Sequence, residues 1–120
     1  MLDLTIEKIG KLAVVECHGR VVRSDVAFKL REAVMALPGI GVIVLDLSEV
    51  SAIEGGGLGM LQFLQRWGCD RGIQLKLFNP TRSVRDRLEH AGATPEFDIA
   101  TLDELMALLA DAESRFALAA

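Results

Sequence analysis

At 120 residues, 51% of them hydrophobic and 25% charged, the chain has the size and apolar content of a single α/β domain with a substantial core. A formal net charge of −4 argues against a nucleic-acid partner, and no apolar run approaches the ~20 residues of a membrane span, so the protein is not expected to be membrane-embedded. Cys17 and Cys69 show no metal-ligand spacing and read as reduced, buried thiols; Asp3 and Glu7 interrupt any signal-peptide pattern, and the expected location is the cytoplasm.

Leu2–Lys8 and Leu12–His18 read as two strands joined by a hairpin at Ile9-Gly10-Lys11, where glycine supplies a positive φ. Leu2, Leu4 and Ile6 alternate with polar residues, the pattern of a half-exposed edge strand. A loop through Gly19-Arg20-Val21-Val22-Arg23 follows. Ser24 or Asp25 then caps a helix whose inner face is Leu30, Ala33, Val34 and Leu37, stopped by Pro38-Gly39. Val42–Leu47 is nearly all aliphatic, as in a central strand covered on both faces. After a short loop and Gly55-Gly56-Gly57, a helix is expected to run to about Asp70, with Leu61, Leu64 and Gly68 inward and Phe63 and Trp67 at the margin.

Gln74–Phe78 is the next strand, and Asn79-Pro80 is expected to cap a helix that turns Val84, Leu88 and Ala91 inward and ends at Gly92. A short strand near Phe97–Ile99 precedes Thr101-Leu-Asp-Glu104, a capping box. The last helix places Leu102, Leu105, Met106, Leu109, Ala112 and Phe116 at three-and-four spacing. The order is β-β-α-β-α-β-α-β-α. This predicts an α/β fold: a mixed sheet of about five strands, the first at the edge, covered by four helices, with residues 1–112 forming the domain and 113–120 extending the last helix.

The segment from Asp46-Leu47-Ser48-Glu49-Val50 through Gly57-Leu58-Gly59, together with Asn79-Pro80 through Gly92 and the element order, resembles the STAS domain family of anti-sigma factor antagonists. The resemblance runs from about Leu2 to Leu109. It implies signal transduction and transcription regulation by protein–protein interaction, with a loop hydroxyl whose phosphorylation turns docking off. By that resemblance Glu54 stands at the family's aspartate, Gly55 at its first serine, and Gly56 at the phosphoacceptor. Glycine carries no hydroxyl, so Gly56 cannot be phosphorylated. Ser48 and Ser51, the nearby hydroxyls, read as loop-structural or solvent-facing. The family's Gly-x-Leu-Asp before the first helix is here Gly19-Arg20-Val21-Val22, which makes the local field less negative.

The expected partner-binding patch is therefore Glu54, Gly55, Gly56, Gly57 and Leu58, with Arg20 and Arg23 beside it and Phe63 and Trp67 on the following helix; Met60 is a further candidate. Bare glycine backbone lets another chain approach closely, and Phe and Trp supply much interface energy. Its partner would be an anti-sigma factor or kinase-like protein. The alternatives are a subunit of a transport ATPase, for example in lipid transport, and a nucleotide or small-ligand sensor using the arginines around the helix N-terminus; Arg82, Arg85 and Arg87 read as a solvated helix face. No cofactor, metal or catalytic residue is expected. Cys17 and His18 are neighbours on a strand and point to opposite faces, so they form no nucleophile–base pair. The sequence leaves the oligomeric state open.

Overall fold

A computed structural model describes residues 2–21, 24–54, 56–90 and 97–119. Its elements are β1 (Leu2–Ile9), β2 (Leu12–Val21), α1 (Ser24–Met35), β3 (Val42–Ile53), α2 (Gly56–Arg71), β4 (Gln74–Phe78), α3 (Arg82–His90), β5 (Asp98–Ala100) and α4 (Leu102–Ala119). The sheet order is β1-β2-β3-β4-β5. The β1–β2 hairpin is antiparallel and the other pairings are parallel. Ile9 pairs with Leu12, so Gly10 and Lys11 form the hairpin loop, with Gly10 at φ 57°. As expected, β1 lies at the sheet edge, and its alternation grades from buried Leu2 to exposed Ile6.

Successive residues of β3 feed opposite layers. Ile43, Leu45 and Leu47 join the large core with Leu30 and Val34 of α1, Leu61 and Leu64 of α2, and Val84 and Leu88 of α3. Val44 instead joins a smaller cluster with Leu12 and Ala112, against which Leu105, Leu108 and Leu109 of α4 pack. Residues two apart on a strand share a face, so the aliphatic run serves both layers at once.

Parts of two expected loops, residues 19–21 and 48–53, are strand. Arg20 pairs with Ala52 and Val21 with Ile53, carrying β2 and β3 well past His18 and Leu47. Register shifts between Glu16 and His18 and between Gly19 and Arg20 absorb the irregularity, with Gly19 at φ 126°. The polar stretch Ser48–Ser51 reads locally as loop, but pairing and the burial of Val50 and Ile53 override that preference.

The helix boundaries also need correction. Thr81, not Asn79, caps α3. Its Oγ1 accepts from the Val84 N–H at 3.4 Å and donates to the Val50 carbonyl at 2.8 Å, tying the helix start to β3. Asn79 instead takes a positive φ of 49° in the preceding turn, and Pro80 is buried there. The capping box of α4 forms as expected: the Thr101 N–H donates to Glu104 Oε1 and the Glu104 N–H to Thr101 Oγ1. Leu102 and Met106, expected inward, are 62% and 57% exposed, because the inner stripe of α4 runs through Leu105, Leu108, Leu109 and Ala112. The expected inner residue Ala91 and the expected helix end Gly92 lie outside the described residues, and the Phe116 side chain lies outside those described. No helix among the described residues is long and apolar enough to cross a membrane.

The cysteines differ. Cys17 is buried while Cys69 is exposed, against the expectation that both are buried. Burial, with a smaller contribution from the Asp46 charge, pushes the Cys17 thiol up to about 12 from its ordinary 9.0. One thiol of the native chain should therefore react promptly with Ellman's reagent at neutral pH, and two after denaturation. The unfolded chain gives up the Cys17 proton first as pH rises. The stability this group contributes is complete below pH about 9 and declines between there and about 12. Prompt reaction of both native thiols would refute the assignment.

Candidate functional site

The corner between β3 and α2 is fixed by backbone hydrogen bonds. The Glu54 N–H donates to the Val21 carbonyl at 2.9 Å, and the Glu54 carbonyl accepts from the Gly57 N–H at 3.0 Å. Glu54 and Gly56 are exposed, but Gly57 is buried. A Cβ on Gly57 would stand 2.7 Å from Ile53 Cγ1, 3.0 Å from the Val21 carbonyl oxygen and 3.1 Å from Val21 Cγ1. The expectation of a uniformly bare glycine surface is corrected accordingly. Gly57 lets the start of α2 sit against the ends of β2 and β3, leaving Gly56 as the exposed glycine among the described residues of the corner. Gly55 and Arg23 lie outside the described residues.

Beside Gly56 runs a groove between α1 and α2 of about 240 Å³, lined by Ala27, Phe28, Arg31, Gly56, Gly59, Met60 and Phe63. Ala27, Leu30 and Val34 turn into the core, which sends Phe28 and Arg31 of α1 outward. On α2 the same logic buries Met60, Leu61 and Leu64 and leaves Phe63 out. Phe28 is 53% and Phe63 44% exposed, an unusual placement for side chains whose full burial would each be worth ~1.5–3 kcal/mol. Arg31 Cζ lies over both rings, 4.6 Å from the Phe28 centroid and 5.2 Å from that of Phe63. A Cβ on Gly59 would meet nothing within 4 Å, so the floor is open there. Arg31 Nη2 donates to Glu32 Oε1 at 3.2 Å, while its buried Nε has no hydrogen-bond partner.

Of the expected patch, Gly56 and Phe63 come together in this groove, with Glu54 exposed two residues before Gly56. Met60, a weighed candidate, is buried and lines the groove. Arg20 lies exposed near the end of β2, opposite Ala52. Leu58 and Trp67 are partly buried against the large core, and Arg71 covers the Trp67 ring at 5.5 Å. Sequence reading missed Phe28, Arg31 and the groove that they make with α2. The available signal was a phenylalanine off the inner face of α1, three residues before an arginine.

The three arginines of α3 are exposed. Arg85 borders a second depression, of about 530 Å³, with Phe78, Asn79, Ile99, Ala100, Thr101 and Leu102. Cys17 is buried while His18 is exposed, 3.8 Å from the Glu16 carboxylate, so the two do take opposite faces. His90 Nδ1 donates to the Asp86 carbonyl at 2.7 Å in the last turn of α3.

Residues 4–105 match the STAS domain, and the chain belongs to that family. No curated protein sequence matches it significantly. Among solved structures it is similar to the anti-sigma factor antagonist SpoIIAA in its unphosphorylated form, with 17% identity and a TM-score of 0.73 over 91% of this chain and 97% of that one. It is likewise similar to an anti-sigma factor antagonist from Mycobacterium paratuberculosis, with 19% identity and a TM-score of 0.71 over 90% and 93% of the two chains. A further match is the murine Solute Carrier 26 family member A9 anion transporter, with 20% identity and a TM-score of 0.69 over 87% of this chain and 18% of that one. At these identities the structural likeness is one of fold.

Proposed function

We propose that this STAS domain is a protein-interaction module of the anti-sigma factor antagonist type, which docks on an anti-sigma factor or kinase-like partner. The observation that carries the reading is the pair of exposed phenylalanines flanking one groove beside the exposed Gly56. Aromatic and arginine side chains in a concave surface are the usual carriers of interface energy. Docking would bury Phe28 and Phe63 without rearranging the core. Since Gly56 bears no hydroxyl, the switch position implied by the family resemblance is chemically silent, and binding is constitutive. Ser48 is engaged by Asp46 Oδ1, and the Ser51 hydroxyl donates to the Gly19 carbonyl at 3.3 Å, which supports structural roles for both.

The test is affinity capture of the tagged chain from its native cells, followed by intact-mass measurement after incubation with ATP and any captured kinase. An anti-sigma or kinase-type partner and an unchanged mass are expected. A stoichiometric phosphate on Ser51 would overturn constitutive binding. A second reading, a STAS component of a transport system, draws on the fold shared with the anion transporter; capture of a transport ATPase or permease would favour it.

A further inference from the structure

We infer that the groove between α1 and α2 receives an acidic segment of a protein partner, with one apolar side chain against the exposed surfaces of Phe28 and Phe63 and a neighbouring carboxylate on Arg31. This rests on the reading of the chain as a protein-interaction module and specifies the partner's chemistry. The groove is walled by two phenyl rings and has an open floor at Gly59, a space suited to a leucine- or phenylalanine-sized side chain.

Among the described residues lining it, Arg31 is the one that carries a charge. Its guanidinium lies over both rings, which hold it in place at the groove. Nε is buried, so an incoming carboxylate meets the terminal nitrogens, one of which is held by an exposed bond to the adjacent Glu32. An incoming carboxylate displaces such a surface pair at small cost and gains a planar fork that is already positioned. Glu54, exposed two residues before the groove-lining Gly56, disfavours negative charge near the start of α2. A second copy is the poorer occupant, because it brings the same cationic groove and a like net charge of −4.

Two measurements on the whole chain decide this. First, a phage-displayed random peptide library is panned against it, and free synthetic copies of the enriched peptides are titrated into wild type, Arg31→Gln, Arg31→Lys and Phe63→Ala. Enriched peptides are expected to place Asp or Glu beside Leu, Phe or Trp. Their affinity should fall about tenfold or more in Arg31→Gln and Phe63→Ala, and less in Arg31→Lys, which keeps the charge but loses the fork. Basic peptides, equal binding to Arg31→Gln, or no enrichment over an unrelated protein would each overturn the inference. Both substituted side chains are partly or largely exposed, and an unchanged unfolding midpoint confirms that each variant folds.

Second, the same variants are used to recapture whatever partner the wild type retrieves. Retention by a Phe28→Ala/Phe63→Ala double variant would leave the docking reading standing and this groove assignment refuted. Acidic peptides that bind the groove while no partner is captured would keep the groove assignment and remove the anti-sigma reading. Sedimentation velocity showing a wild-type dimer that Phe63→Ala dissolves would give the groove to a second copy and overturn the inference.

Discussion

Gly57→Ala is expected to destabilise the domain by about 2 kcal/mol, while Gly59→Ala, two positions along the same helix, should stabilise it by roughly 0.5–1 kcal/mol. The helix preference for alanine over glycine, about 1 kcal/mol, favours both replacements. Space decides the difference. A methyl at Gly57 meets Ile53 Cγ1 at 2.7 Å and the Val21 backbone oxygen at 3.0 Å, and neither is the free end of a flexible side chain. Relief would shift the start of α2 away from the ends of β2 and β3, against the hydrogen bonds that bind Glu54 to Val21 and Gly57 to Glu54. At Gly59 nothing lies within 4 Å. Urea unfolding at constant m-value reads both effects, and Gly57→Val should be worse than Gly57→Ala. Equal midpoints for the two alanine variants would show that the close approach at Gly57 is not needed.

That contrast also marks where sequence reasoning stops. The four helices and five strands of the described residues were legible in order, because hydrophobic period and glycine, proline and capping signals are local. The continuation of β2 and β3 beyond His18 and Leu47 was not, since it depends on pairing between segments about thirty residues apart. Thr81 was passed over as a cap for the same reason: its second hydrogen bond goes to Val50, far away in the chain. At the site, three consecutive glycines announced a corner where backbone must come close. Nothing local distinguished Gly57, which approaches the protein's own sheet, from Gly56, which is exposed. The groove itself was illegible from either helix alone. Phe28 and Arg31 belong to α1 and Phe63 to α2, and only the packing of Leu30, Val34, Leu61 and Leu64 into one core sets the three side by side.

Gly56→Asp should leave the fold intact, or raise its stability by about 0.3–1 kcal/mol, while weakening partner or acidic-peptide binding at least about tenfold, or roughly 1.4 kcal/mol. The two effects separate because they have different causes. The first turn of α2 holds no acidic residue, so a carboxylate there meets unpaired N–H groups and the positive end of the helix dipole. Gly56 is exposed and lines the groove together with Arg31. A carboxylate at that point repels an incoming acidic segment and competes for the guanidinium that would receive it. It imitates, with about half the charge, the phosphate that glycine cannot carry. Gly56→Asn supplies the uncharged counterpart of similar shape and should lose far less affinity. Calorimetric titrations of both variants at low and high salt separate the contributions: the Asp penalty should shrink as salt screens it, and the Asn penalty should not. Equal losses in the two would mean that bulk rather than charge excludes the partner, and wild-type affinity in Gly56→Asp would take the α2 corner out of the interface altogether.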